Sequence, residues 1–137
     1  MRYIIAGGSG IIGSRLAASS LADGHEVIIL SRNPARSDVH GARAVAWDAR
    51  TAAGWGNLID GDTAIVNLAG ETIGGSSVIP LPGTWSAERR QRIKESRRDA
   101  GQAIVAAIDA AADKPRVVVQ MSGIDYYPAG DRLVTED

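Results

Sequence analysis

Five short apolar runs punctuate the chain: "RYIIA" at 2–6, "EVIIL" at 26–30, "RAVAW" at 43–47, "AIVNLAG" at 64–70 and "RVVVQM" at 116–121. They carry apolar residues at successive positions, not alternate ones. This predicts parallel strands covered on both faces rather than strands with a wet side. Between the first two runs, Ile11 to Asp23 reads as a helix, with Ile12, Leu16, Ser19 or Ser20, and Leu21 at spacings that share one face. Gly24 suits its stop, where a left-handed residue costs little. A longer helix is predicted from Trp85 or Ser86 to about Asp113, with Ser86 as N-cap and Glu88 in the first turn. Ile93, Ala100, Ile104, Ile108 and Ala111 form the stripe it turns to the sheet. Strand, helix, strand and further crossovers predict an α/β fold with an open parallel sheet in the order 3-2-1-4-5.

Residues 71–84, "ETIGGSSVIPLPGT", break the pattern. Glycines, prolines and small polar residues forbid a regular element, and so long a loop is commonly functional or mobile. It leaves the carboxyl end of the fourth strand, the side on which open α/β sheets bind ligands.

The glycines between the first strand and its helix are the densest chemical signal. Gly8-x-Gly10-x-x-Gly13 fits a dinucleotide fingerprint, and Gly7-x-x-Gly10-x-x-Gly13 fits the spacing of short-chain dehydrogenases. The pattern alone is weak; a strand ending at Ala6 and a helix starting near Ile11 give it meaning. A helix N-terminus offers unpaired N–H groups and a positive dipole end to a diphosphate. A side chain at Gly10 would block that approach, and one at Gly13 would push helix from strand. Gly7, Gly8, Ser9, Gly10, Ile11, Ile12 and Gly13 are therefore candidate cofactor contacts on a Rossmann-like, doubly wound sheet.

An NAD site usually shows an acid at the end of the second strand to bond the ribose hydroxyl. Here that place reads Leu30-Ser31-Arg32-Asn33, and Glu26 lies at the strand's opposite end. Ser31 and Arg32 suit a 2′-phosphate, which a guanidinium matches in charge and fork geometry, with Arg36 placed to assist. The competing reading is a solvated loop arginine. The expectation is NADP(H).

Totals remove other classes. A chain of 137 residues is one domain, 45% apolar and 23% charged, as ordinary globular chains are. A net charge of -1 gives no field for nucleic acid or an anionic membrane. The basic run from Arg89 to Arg98 is interleaved with Glu88, Glu95 and Asp99 and lacks aromatic residues, which also argues against nucleic acid. With no cysteine there is neither a disulfide framework nor a thiolate metal site, and His25 and His40 stand without partners at ligand spacing, so no metal is expected. Arg2 and the apolar residues after it imitate a signal peptide, but four glycines interrupt the run. No stretch approaches the ~18 apolar residues of a membrane span, and a cytoplasmic protein is expected.

Taken in order, "AGGSGIIG", "LADGHEVIILSRNP", "WD", "NLAGE", "W…RRQRIKESR" and "SGIDYY" resemble the atypical extended short-chain dehydrogenase/reductases, the nucleoside-diphosphate-sugar epimerase-like proteins. The resemblance spans nearly the whole chain. It implies that Leu68, Ala69 and Gly70 pass the cofactor after strand four, that Asn67 supports that segment, and that Arg97 reaches the cofactor from the long helix. It also implies an adenine contact for Asp48, although an ordinary strand-end acid fits "WDA" equally well. By composition alone Arg97 belongs to a solvated helix face. Ser122, ending strand five, falls where the superfamily has a Ser or Thr that bonds the substrate; a strand-end serine bonding nearby backbone is the alternative.

The function implied is an NADP(H)-binding domain, residues 1–137, of an epimerase-like oxidoreductase acting on a sugar nucleotide or another carbonyl or hydroxyl compound. The alternative is a non-catalytic NADP(H)-binding sensor or scaffold. The superfamily's Tyr-x-x-x-Lys pair is missing: Gly130 and Asp131 lie four residues after Tyr126 and Tyr127, and the lysines are Lys94 and Lys114. The loop at 71–84 is longer than the family's. "GDRLVTED" resembles the middle of a family member, so the substrate lobe is expected outside this chain. Strand five then forms an apolar sheet edge, which either further chain or a second copy in a homodimer is expected to cover.

Overall fold

The computed structural model describes residues 1–37, 39–72 and 86–122, with the side chain of Arg36 outside that set. Five parallel strands, β1 (Arg2–Ala6), β2 (Glu26–Ser31), β3 (Arg43–Ala46), β4 (Thr63–Asn67) and β5 (Val117–Gln120), form one sheet in the order β3-β2-β1-β4-β5. This is the doubly wound Rossmann-like arrangement expected. Helix α1 (Ile11–Ala22) follows β1, and α2 (Ala87–Ala110) precedes β5.

Side-chain alternation divides the core. On one face Ile4, Ala6, Ile28, Leu30 and Ile65 pack with Ala100, Ala103, Ile104 and Ala107 of α2 and with Trp47 and Trp55. On the other, Ile5, Val27, Ile29 and Val66 pack with Ala17 of α1. Neighbouring residues of β1 and β2 thus serve opposite faces, which is why both faces of these strands are apolar in sequence. Ser86 caps α2 by accepting the Arg89 N–H at 3.2 Å, and Glu88 lies in the first turn, as the sequence predicts. At the end of α1, Gly24 takes φ +79°.

Three expectations need correction. The buried face of α1 is Gly13, Ala17 and Ser20, with Ile12 and Ser19 exposed. Small residues let the helix lie close to the sheet, so the larger Leu16 and Leu21 pack at its flanks. Three strands are shorter than their apolar runs: β3 stops before Trp47, β4 stops before Leu68, and β5 omits Arg116 and Met121. Helix α2 stops at Ala110 because Ala111 is extended, and Lys114 Nζ donates to the carbonyls of Ile108, Asp109 and Ala111 at 2.9–3.0 Å.

Strand register sets the site. Ala6 stands opposite Leu30 on one side and Asn67 on the other, and Asn67 stands opposite Gln120. The carboxyl ends of β1, β2 and β4 are therefore level, and the turns that leave them meet at one rim. At the opposite end Arg2 Nε donates to Glu26 at 2.9 Å and Arg2 Nη1 to Asp60 at 2.6 Å. Glu26 is thus engaged far from that rim. β5 forms the sheet edge, with Val117, Val118 and Val119 each between 44% and 49% exposed. No described helix is long and apolar enough to cross a membrane.

Candidate functional site

A groove of about 400 Å³ opens at the rim where the order of connections reverses between β1 and β4. Ligands collect at such points because the crossovers on either side lead to opposite faces of the sheet and leave a crevice. Of the expected residues, Gly7, Ser9, Gly10, Ser31, Arg32, Leu68, Ala69 and Gly70 line it.

The glycine turn is built by close approach. Gly7 adopts φ +78°, and a Cβ there would lie 2.9 Å from both the carbonyl carbon and the oxygen of Leu68. Gly7 O accepts the Gly10 N–H at 3.1 Å, closing the turn. A Cβ on Gly13 would stand 2.5 Å from Gly7 O and 2.6 Å from Gly8 Cα. Gly13 therefore lets the helix seat on the turn itself, where the sequence suggested helix-to-strand spacing. Gly8 is buried against Ile29, and Gly8 and Gly13 support the groove without lining it. Gly10, the N-cap of α1, supplies no side-chain cap, and the first helical turn carries no acid. The positive end of α1 is thus left for an anion. Ile11 and Ile12 are 83% and 59% exposed beside the turn and lie outside the lining of the groove.

At the end of β2, Ser31 Oγ accepts the Asn33 N–H at 3.1 Å, fixing the turn that carries Arg32. Arg32 is exposed, and among the described residues nothing pairs with its guanidinium. It lines both the groove and an adjoining cavity of about 410 Å³. Asp48 lines only the adjoining cavity. Its Oδ1 accepts the N–H groups of Arg50 and Thr51 at 2.8 Å, and its Oδ2 accepts the Thr51 hydroxyl at 2.9 Å. The backbone bonds from Arg50 and Thr51 hold its carboxyl below the usual carboxylate range. Asp48 thus keeps its charge while shaping the turn, in which Ala49 takes φ +61°.

Asn67 is buried and works as a brace. Its Oδ1 accepts the Ala69 N–H at 3.1 Å, and its Nδ2 donates to Gln120 Oε1 at 2.8 Å. Arg97 stacks on Gly70, its Cζ 2.8 Å from where a Cβ would be, and is not itself in the lining of the groove. Ser122 is exposed just past β5, also outside the lining. Residues 73–84 of the long loop, Trp85, and Tyr126 and Tyr127 lie outside the described residues.

The sequence reading missed Trp47, Ala49, Glu71 and Ser96, all of which line the groove. Trp47 carries the clearest sequence signal of these, an aromatic residue immediately after a strand on the ligand side. Its Nε1 donates to Thr51 O at 2.7 Å, and the Trp55 indole donates to the same oxygen at 3.0 Å.

The model of the NAD dependent epimerase/dehydratase family matches residues 3–137. The chain belongs to that family. Among curated relatives it is 35% identical over 127 residues to the bovine epimerase family protein SDR39U1, covering 93% of this chain and 38% of that protein. It is 30% identical over 138 residues to epimerase family protein YfhF of Bacillus subtilis, covering 100% of this chain and 43% of the relative. The chain thus spans about two fifths of the length of these relatives. Among solved structures, human SDR39U1 (isoform 2) with NADPH superposes with a TM-score of 0.75 at 35% identity, covering 95% of this chain and 39% of that one. UDP-glucose 4-epimerase of Bifidobacterium longum, solved with NAD+ and UDP, gives a TM-score of 0.72 at 17% identity, with 100% of this chain and 42% of that one covered; it shares the fold. The chain is accordingly a Rossmann-like NAD(P)-binding domain of the epimerase family.

Proposed function

We propose that residues 1–137 are the NADP(H)-binding unit of an epimerase-like oxidoreductase whose substrate is a sugar nucleotide or another carbonyl or hydroxyl compound. The observation that carries the choice of NADP(H) is the carboxyl end of β2. Arg32 stands there exposed and unpaired among the described residues, lining the groove, while Glu26 is engaged with Arg2 at the other end of the strand. A carboxylate at the carboxyl end would favour a free ribose hydroxyl; an unpaired guanidinium favours a phosphate. The human relative was solved with NADPH, which supports the same reading.

In this reading the uncapped amides at the start of α1 meet the diphosphate, Gly10 keeps a side chain out of its path, Gly7 and Gly13 let the turn pack against Leu68 and α1, and Ser31 and Arg32 take the 2′-phosphate. Ile11 and Ile12, at the mouth, and Leu68, Ala69 and Gly70, along the opposite wall, give apolar surface to the remaining length of the cofactor. Asp48 meets adenine from the adjoining cavity. A bound nicotinamide supplies hydride transfer, and Ser122 holds the substrate oxygen.

Calorimetry with NADPH and NADH tests this. NADPH is expected to bind tighter, and Arg32→Ala to weaken NADPH by about 1.5–3 kcal/mol while leaving NADH nearly unchanged. Equal affinities in the unsubstituted protein would defeat the assignment of NADP(H).

A further inference from the structure

The groove wall formed by residues 68–71 has left the sheet, and its amides need other acceptors. Leu68 N–H still reaches Ala6 O at 2.9 Å, the last backbone bond along this wall among the described residues. Ala69 N–H is taken by Asn67 Oδ1. Two residues further on, Glu71 N–H is taken by Ser96 Oγ at 2.9 Å, and that hydroxyl donates onward to Ile93 O at 2.9 Å. Arg97 Nη1 donates to Glu71 O at 3.2 Å and to Ile93 O at 3.1 Å. Arg92 Nε lies 3.5 Å from the Glu71 carboxylate. The near end of the wall is therefore tied to β1 and the far end to one turn of α2.

We propose that Ser96 and Arg97 are positioning residues that hold Glu71, one on its amide and one on its carbonyl, at the spacing from the glycine turn that a dinucleotide needs, a role that rests on the cofactor reading above. Both act through Glu71. Ser96 holds its amide, and Arg97 holds its carbonyl while filling the space over Gly70, where even a methyl group would collide with Cζ at 2.8 Å. Arg97 is not part of the groove lining, whereas Gly70 and Glu71 are. This departs from the direct cofactor contact that family resemblance implies for Arg97. The guanidinium serves the backbone of the wall, and the wall serves the ligand. With both partners on the same turn of α2, loss of either frees one of the two peptide groups that flank the Glu71 Cα.

The test combines amide exchange with dinucleotide titration across a range of salt concentrations, on the unsubstituted chain and on Ser96→Ala, Ser96→Thr, Arg97→Ala and Arg97→Lys. Without cofactor, the Glu71 amide should be protected in the unsubstituted chain and in Ser96→Thr, and should exchange about tenfold faster in Ser96→Ala. Ser96→Ala and Arg97→Ala should weaken NADPH and NADH by the same factor, about three- to tenfold, with the salt dependence of binding unchanged. Arg97→Lys should recover part of the loss. If Arg97→Ala flattens the salt dependence, Arg97 contacts the cofactor's phosphates directly and the positioning role is overturned. It is also overturned, alone, if the unsubstituted chain binds dinucleotide while Ser96→Ala matches it in exchange and affinity. A chain that binds neither dinucleotide overturns the cofactor reading and this role together.

Discussion

Gly7 and Leu68 touch backbone to backbone: a Cβ on Gly7 would lie 2.9 Å from the carbonyl carbon and oxygen of Leu68. The contact joins the turn after β1 to the wall after β4, so it sets one dimension of the groove. Gly7 also has φ +78°, so an added methyl group meets both a collision and an unfavourable backbone. Gly7→Ala should destabilise the fold by about 1–3 kcal/mol in chemical denaturation and abolish measurable dinucleotide binding.

Gly13 separates two costs that Gly7 combines. Its backbone is helical, so only the collision with Gly7 O and Gly8 Cα opposes a side chain. Since those atoms are backbone, relief requires α1 to tilt away from the turn. Gly13→Ala should lower stability by about 1–3 kcal/mol, as overpacked sites do. It should weaken NADPH and NADH alike, in contrast to Arg32→Ala. Parallel titration of both cofactors checks this.

The legible parts of this chain were those that depend on local pattern. Doubly apolar strands, the Ser86 cap and the Gly-rich turn all leave marks at short sequence range, and their order yielded the sheet topology. Strand ends were less legible because Trp47 and Leu68 are as apolar as strand residues, yet they line or flank the groove. The face of α1 was misread for a related reason. Hydrophobic spacing favours Ile12, but close packing on the sheet selected the small Gly13 and Ala17. Ser96 was illegible, since its partner Glu71 is 25 residues away and a serine within a charged helix carries no signal of a distant amide.

Trp47 offers an optical reading of the groove. It is buried, lines both cavities, and stacks edge-on with Trp55 at 5.9 Å between ring centroids. A dinucleotide in the groove should quench its emission. Trp47→Phe should remove most of that quenching while keeping the fold, because the Thr51 carbonyl retains the Trp55 donor. The stability loss should be about 1–2 kcal/mol, from one hydrogen bond and a small void. Fluorescence titration and chemical denaturation of the same sample check both statements.

Asn67 carries a larger share than its size suggests. It is 1% exposed and joins the groove wall to the edge strand through Ala69 and Gln120. Asn67→Ala removes the side-chain acceptor of the Ala69 N–H and leaves a void between β4 and β5. A loss of about 1–3 kcal/mol is expected. Gln120→Ala should cost less, because Gln120 is exposed and water replaces it at Asn67 Nδ2. Comparing the two variants by denaturation separates the wall contact from the edge contact.

The pH dependence of stability should come from two turn-forming acids at opposite ends of the sheet. Asp60 is held below the usual carboxylate range first by the Thr63 hydroxyl, then by the Asp62 amide and Arg2. Asp48 is lowered by the Arg50 and Thr51 amides. A carboxyl whose folded pKa lies below its unfolded value binds fewer protons when folded. Its stabilisation is therefore present above the ordinary value of 3.8 and is lost as pH falls through the lower folded value. Stability measured by denaturant should be flat near neutrality and fall on acidification below about pH 4. Asp60→Asn should lower stability at pH 7 and flatten that acid limb, since its partner Arg2 and the Thr63 hydroxyl then lose an ionised acceptor at every pH. Asp48→Asn should flatten it as well, and should additionally change the adjoining cavity. A stability curve unchanged in slope for both variants would show that other carboxyls govern the acid response.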